Sequence, residues 1–322
     1  DAEGSMNVVN DAFIADMEAA TKQIVVDESI KGVILTSAKK TFMAGADLKQ
    51  LVNGFGTLTP QEAYAFSKRA TDMHRAIEQS GKPWVAAING LALGGGFELA
   101  LACHRRILAD DAKAQVGLPE VNVGLLPGSG GTVRLGIIAG MKIALDLLLS
   151  GRSVGPQEAL KLKIVDEVVP ADKLIDAAKA WLATGPDPVK PWDVKGWTPP
   201  QKKGMTVPED SAAYMMYTGG LAKGGYNQPA PAAILNSVFH GLQLPFDKAL
   251  AVEGKYFAKL LTDPVARNII RTTFISKQAA EKGARRPEGF PKFEAKKVGV
   301  LGAGMMGAGI AFVSSNAGID VV

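Results

Sequence analysis

The chain has 322 residues, 47% of them hydrophobic and 21% charged, with a net charge of +4. That is enough apolar material for a buried core and enough length for about two domains. A single cysteine, Cys103, excludes an intrachain disulfide and fits a reducing compartment. The three histidines, His74, His104 and His240, are too dispersed for a metal-ligand spacing, so no metal is expected. Lysines and arginines are scattered, and the largest local cluster, Lys202-Lys203 with Lys195 nearby, sits among prolines. This is no nucleic-acid surface, whereas a small polyanionic ligand suits the mild positive balance.

The chain opens Asp1-Ala2-Glu3-Gly4, without the basic-then-apolar pattern of a signal peptide. The stretch from Ser5 to Asn10 reads as the middle of a longer segment, so we expect a chain trimmed at its N-terminus. Residues 11–24 carry Phe13, Ile14, Met17 and Ile24 at helical spacing, and 31–36 read as a buried strand. Phe42 to Leu48 then forms a strand-to-helix turn in which Asp47 is placed to cap the helix. A helix is expected over 60–78. It is followed by an apolar strand at 84–88, an Asn89-Gly90 turn and three glycines, Gly94, Gly95 and Gly96. Helical spacing resumes directly after them, with Leu99, Ala100 and Cys103 on one face and Glu98 in the first turn. A second strand at 106–109 leads to Gly117-Leu118-Pro119-Glu120, and a second glycine-rich loop follows at Pro127-Gly128-Ser129-Gly130-Gly131.

Further on, the pattern gives a helix over 141–149 and a short helix with Pro156 in its first turn, capped by Ser153 or Gly155. A strand at 164–169 and a helix over 172–182 come next. Residues 186–208 hold six prolines, so no regular element is expected there, and the segment reads as a linker or a surface excursion. Helices return at 232–242 and 247–261. A third helix, with Asp263 as N-cap and Pro264 at its first position, stops near Gly283. The last stretch feeds a strand into Gly302-x-Gly304-x-x-Gly307 and a helix, the context of a dinucleotide-binding fingerprint. No charge occurs between Lys297 and Asp320, yet six glycines and a Ser-Ser-Asn break argue against a membrane span. The acidic residue expected about twenty positions past the glycines falls beyond Val322. A complete NAD site and dehydrogenase catalytic residues are therefore not expected in these 322 residues.

The chemistry concentrates in the two glycine loops. A glycine run opening a helix admits a ligand close to the backbone and presents N–H groups at the positive end of the helix dipole. Such donors stabilise an oxygen that becomes negative in a transition state. Two carboxyl groups in one pocket, Glu98 and Glu120, can divide acid and base roles because like charges push their proton affinities apart.

Four pieces together resemble the crotonase (enoyl-CoA hydratase/isomerase) superfamily. They are Ala92 to Glu98, Gly117 to Glu120, Gly124 to Gly131 and, upstream, Phe42 to Leu48. The resemblance implies an α/β fold, a crotonase-type spiral of ββα repeats, followed by a helical linker and a truncated Rossmann βα start. The implied domains are 1–185 for the hydratase/isomerase part, 186–295 for linker and helices, and 296–322 for the first βα of an NAD-binding 3-hydroxyacyl-CoA dehydrogenase. As a whole the chain resembles multifunctional fatty-acid oxidation subunits. The implied reaction is addition of water to a trans-2-enoyl-CoA to give an L-3-hydroxyacyl-CoA, with isomerisation of a 3-enoyl double bond as an accompanying activity. By the same resemblance Glu98 and Glu120 are catalytic and the N–H groups of Ala46 and Gly95 form the oxyanion hole. Asp47, Leu48, Lys49 and Gly128 border the substrate. Lys49 and Arg134 are candidates for contacting the coenzyme A phosphates. Gly302, Gly304 and Gly307 form an incomplete NAD motif. Hydration needs no cofactor, and NAD serves the parent protein only. Implied partners are acyl-CoA, a thiolase β subunit for the parent complex and further copies of the chain, in a bacterial cytoplasm. The competing expectations are another reaction of the superfamily, such as a dedicated isomerase or a thioester hydrolase, and an inactive fragment.

Overall fold

The computed structural model describes residues 4, 6–201, 207–224, 227–290 and 293–322. Two compact units result, Asp1–Ser276 and Lys277–Val322. The cluster at Lys202-Lys203 and the opening residues 1–3 lie outside the described residues.

In the first unit the strands are β1 (Val33–Leu35), β2 (Trp84–Ile88), β3 (Ala92–Leu93), β4 (Arg105–Ala109), β5 (Val116–Gly117) and β6 (Glu167–Val169). They form two sheets. One is wholly parallel in the order β1-β2-β4-β6, and the other pairs β3 with β5. Single bridges from Met43 to Ala92 and from Val116 to Val154 widen the second sheet. Each turn of the chain thus gives one strand to the first sheet and one extended segment to the second before entering a helix. That is a spiral of ββα repeats.

The burial pattern explains the layering. All five residues of β2 are buried, the signature of a parallel strand covered on both faces. Alternate side chains serve different cores. Trp84, Ala86 and Ile88 join the main cluster, while Val85 and Ala87 pack with Leu174 and Ala178 of the helix Leu174–Ala183.

The helices at 11–26 and 60–78 begin and end close to expectation, each with a side-chain N-cap from Asn10 or Thr59. Three departures occur later in the chain. A helix spans Pro208–Gly224, where no element was expected before residue 232. The helix begun at Pro264 passes through a π-helical stretch, Ile270–Ser276, before Lys277–Glu281. The proline-rich segment has only a three-residue 3-10 turn, Pro191–Asp193, up to residue 201, but it is no free linker. Trp192 is buried and stacks on Phe246 at 4.5 Å. The buried Lys190 donates its Nζ protons to the carbonyls of Leu101 and Cys103. Prolines prevent helix and sheet, but not burial of the side chains between them.

A buried ion-pair network ties this segment to the rest. Glu78 accepts from Arg134 Nε at 2.7 Å and from Arg75 Nη1 at 2.7 Å, and Arg75 reaches on to Asp193. Burial works against the Glu78 charge, but Arg134, Lys190 and Arg75 together outweigh it and hold the carboxyl below the usual range. The side chains of Glu78 and Arg134 are both 0% exposed.

The second unit is a small βα piece. Lys297–Val298 (β7) pairs in parallel with Asp320–Val321 (β8), and the helix Met305–Asn316 connects them. Among the described residues no helix is long and apolar enough to cross a membrane.

Removing one partner of a buried pair strands the other charge. Glu78→Ala is expected to lower the unfolding free energy by about 3–5 kcal/mol, read by urea denaturation, and a loss below about 1 kcal/mol would contradict the role given to the pair.

Candidate active site

Glu98 and Glu120 are twenty-two positions apart, and the second sheet brings them together. Ala92 N–H donates to Gln115 O at 2.8 Å, and Gly94 N–H donates to Gly117 O at 2.9 Å. This β3–β5 pairing sets the segments that follow each strand side by side. One is the glycine run opening the helix Gly95–Ala102, with Glu98 in its first turn. The other is Leu118-Pro119, leading to Glu120 at the start of a 3-10 turn, Glu120–Val123. Gly94 sits at φ +53°, and a Cβ there would lie 2.7 Å from Glu120 Oε1, so both conformation and space require glycine.

Glu98 is buried and firmly held. Its Oε1 accepts the N–H groups of Ser129 and Gly131, each at 2.8 Å, and its Oε2 accepts Ser129 Oγ–H at 2.7 Å. A carboxylate oxygen offers two lone pairs. Oε1 is therefore filled, while Oε2 keeps one. A Cβ on Gly131 would lie 2.8 Å from Oε1, and one on Gly95 would lie 4.0 Å from Oε2. The atom with spare accepting capacity is thus the one nearer Gly95.

Glu120 is held differently. Its Oε2 is buried without a hydrogen-bond partner among the described residues. Burial, then the nearby Glu98 charge, pushes its carboxyl well above the usual carboxylate range. Burial also raises Glu98, opposed by its bonds from Ser129 and Gly131. The two acids share an electrostatic environment, and Glu120 has far fewer donors.

The Ala46 loop borders the glycine run. Gly45 sits at φ +96°, where a Cβ would lie 3.0 Å from Leu93 O and 3.7 Å from Gly94 Cα. Val9 N–H donates to Gly45 O and Asp47 N–H to Val9 O, so this pairing passes over the N–H of Ala46. Neither the Ala46 nor the Gly95 N–H donates to a group among the described residues. Asp47 caps the helix Leu48–Gly54, accepting from Lys49 N and Gln50 N. Leu48 is half-buried and Lys49 exposed. Gly128 turns its carbonyl to Ser67 Oγ–H, and its N–H has no acceptor among the described residues.

Arg134 corrects an expectation. A phosphate-contacting arginine must reach solvent, yet this one is sealed in the interior, with its guanidinium on Glu78 and on the Ser129 carbonyl. Its role is structural. Gly302, Gly304 and Gly307 lie in the second unit, where Gly304 caps the helix and a Cβ on Gly307 would run into Gly302 O.

Two participants escaped the sequence reading. Ser129 lay within a recognised loop, but nothing in its spacing shows that it grips Glu98. Glu253 supplies a third buried carboxyl, bound to the amides of Gly130 and Thr132. A signal for it existed. It falls on the apolar stripe of the helix Phe246–Thr262, in register with Phe246, Ala249, Leu250 and Phe257. Two open clefts lie elsewhere. One, of about 320 Å³, is lined by Tyr64, Arg75 and Asp247; the other, of about 450 Å³, by Trp192, Trp197 and Phe246. Neither is lined by Glu98 or Glu120, so concavity alone does not mark the chemistry.

Residues 2–185 match the model of the enoyl-CoA hydratase/isomerase family, and the chain belongs to that family. It has the crotonase fold, and the family is one of lyases and isomerases acting on enoyl-CoA. Among curated relatives, the fatty acid oxidation complex subunit alpha of Shewanella amazonensis is 36% identical over 315 residues, covering 97% of this chain and 43% of the relative. The protein of the same name from Shewanella sp. strain ANA-3 is 37% identical over 317 residues, with the same coverage. The chain thus spans less than half the length of these relatives and corresponds to their N-terminal part. Among solved structures, an enoyl-CoA hydratase from Bacillus anthracis aligns over 88% of this chain and 90% of its own, with 26% identity and a TM-score of 0.53. Human mitochondrial delta3-delta2-enoyl-CoA isomerase aligns over 86% and 91%, with a TM-score of 0.59 and 23% identity, a likeness of fold alone.

Gly94→Ala places a methyl group against Glu120 in a left-handed conformation. It is expected to destabilise the protein by about 1–3 kcal/mol in a thermal or denaturant melt, since strained backbone of this kind costs that much. A crystal structure of the variant should show the Glu120 carboxyl displaced.

Proposed function

We propose that the chain hydrates trans-2-enoyl-CoA thioesters to L-3-hydroxyacyl-CoA. The observation that carries this reading is the buried Glu120 oxygen, which has no partner among the described residues and lies in the electrostatic field of Glu98, together with two backbone N–H groups that have no acceptor among those residues. A buried carboxyl oxygen left unpaired is costly unless a ligand or water completes it.

In this reading the thioester oxygen lies between the amides of Ala46 and Gly95. Each such donor is worth about 2.7–4 kcal/mol as the oxygen gains negative charge. A water sits between the two glutamates and is oriented by the Gly128 amide. Glu98, ionised and with one lone pair left on Oε2, takes a proton from the water as its oxygen attacks C3. Glu120, which holds its proton, delivers it to C2. Asp47, Leu48 and Lys49 border the acyl-CoA, and exposed Lys49 is the candidate that remains for a CoA phosphate. The same pocket supports migration of a 3-enoyl double bond when Glu120 is ionised, because its carboxylate can then take the proton from C2 and return it at C4.

Hydration draws on no cofactor, since coenzyme A arrives with the substrate. For the whole protein we propose the wider arrangement implied by the resemblance to multifunctional fatty-acid oxidation subunits. It comprises a 1–185 hydratase part, 186–295 helices and a dehydrogenase beginning near 296, paired with a thiolase subunit in the bacterial cytoplasm. The first βα of the second unit fits NAD as far as it goes. Gly302, Gly304 and Gly307 bring backbone to a helix N-terminus that has no side-chain cap and would hold the pyrophosphate. NAD supplies hydride acceptance when bound.

Glu120→Gln is expected to cut crotonyl-CoA hydration, followed by loss of the conjugated thioester absorbance, by about a hundredfold to ten-thousandfold, with KM nearly unchanged. Turnover near that of the unaltered protein would remove Glu120 from the mechanism.

The pH dependence has a definite sign. Glu120 is raised, so its working proton is present at neutral pH and is lost as pH rises through the raised value. A kcat profile of the unaltered chain should fall on the alkaline side. A profile flat through the alkaline range would assign the proton to another group.

A further inference from the structure

The glycine loop that holds Glu98 is gripped from two sides by two different carboxyl groups on alternate amides. Ser129 and Gly131 donate their N–H groups to Glu98. Gly130 and Thr132, interleaved with them, donate theirs to Glu253, Thr132 at 2.8 Å, and Thr132 Oγ bonds the same side chain. The alternation depends on Gly130 at φ +104°, a left-handed conformation that turns successive amides to opposite sides. Ser237 Oγ, 2.8 Å from Thr132 Oγ, closes the far end of the chain of bonds. Glu253, Thr132 and Ser237 are all buried.

We propose that Glu253 is a positioning residue for the hydration, fixing through Gly130 and Thr132 the loop whose other amides aim and hold the Glu98 carboxylate. It lies on the helix Phe246–Thr262, outside the 2–185 segment that matches the family, so the later helices complete the site rather than merely packing on it. The inference rests on the reading of Glu98 as the base.

The arrangement also couples charge. Burial and then the Glu98 charge push Glu253 up to about 8, and Glu253 in turn is among the groups that raise Glu120. The groups facing this cluster are Glu98 and Glu120 from the site loops, and His74 and Arg134, which both bond the Ser129 carbonyl. His74 is fully buried and pushed down to about 4 by burial and by Arg134, so it stays neutral through the working range. Arg134 is neutralised by Glu78. Above about pH 8, where Glu253 is ionised, replacing it with a neutral side chain removes a negative neighbour, and Glu120 should give up its proton more readily there.

The test compares the full chain with Glu253→Gln, each checked for folding by thermal melting, in crotonyl-CoA hydration across pH. The expected result is KM within about twofold, kcat reduced at least about tenfold, and the alkaline limb of kcat moved to lower pH; acid–base geometry of this kind is worth factors of that size or more. A folded variant with unaltered kcat and profile would overturn the positioning role while leaving the hydratase reading intact. Absence of hydration in the unaltered chain would overturn both. If Glu253→Gln does not fold, Thr132→Val, which removes only the hydroxyl from the same clamp, decides. A kcat loss of about threefold or more with KM nearly unchanged supports the role, and unchanged kinetics overturn it.

Discussion

The loop from Pro127 to Thr132 is the point on which the site depends, because its amides satisfy carboxyl groups that could not otherwise be buried. A carboxylate without donors in a protein interior protonates or draws in water. Here the donors are backbone groups fixed by a helix start, and the helix Gly131–Ala139 has no side-chain cap from its own N-cap residue, Gly130. Distant acids fill that place. Glu98 comes from the neighbouring helix in the spiral and Glu253 from a helix more than a hundred residues later. The partial positive charge of the helix start favours both. The loop is restrained in turn through the Ser129 carbonyl, which faces His74 Nδ1 at 2.9 Å and Arg134 Nη1 at 3.0 Å.

The rest of the fold delivers residues to this loop. The four-stranded parallel sheet gives the chain a rigid pitch, and its short crossings to the second sheet set each glycine motif beside the next. Met43 bridges to Ala92, Ala92 pairs with Val116, and Val116 bridges to Val154. Four residues far apart in the sequence therefore lie side by side, and the motifs that contain or flank them become neighbours. The wide layer of buried small residues, among them Ala92, Ala100 and Ala102, allows that close spacing. Larger side chains there would hold the motifs apart.

Most of this was legible in the sequence where backbone conformation dictates residue type. Gly94 and Gly130 were read as members of two glycine loops, and both take positive φ; Asp47 and Asp263 announce helix starts, and both function as caps. The β2 strand was legible because burial on both faces leaves an unbroken apolar run. The helix Pro208–Gly224 was hidden for the opposite reason. Its apolar residues do not gather on one side, and Met215 and Met216 remain 74% and 62% exposed, so no stripe marks it. The burial of Lys190 and Trp192 within a proline-rich segment was equally silent, because composition reports the absence of regular structure and not the depth of a side chain. Arg134 misled because a lone arginine near a glycine loop looks like an anion contact. Only the position of Glu78, at the end of the helix Pro60–Glu78, reveals it as half of an interior pair.

How the acids near this loop divide their work follows from the donors each one receives. Glu98 has two backbone amides and a hydroxyl, all directed at its oxygens, which favours the ionised form against burial. Glu253 has comparable support from Gly130 and Thr132 but feels the Glu98 charge, and its carboxyl rises to about 8. Glu120 has no donor at Oε2 among the described residues and the same charge beside it, which favours its protonated form. An ionised acid held by donors is a base with a fixed lone pair, and a protonated acid held by few is free to give its proton away. The proposed assignment of Glu98 as base and Glu120 as acid follows this division of donors: Glu98 and Glu253 take the loop's amides, and no bond from them reaches Glu120 among the described residues.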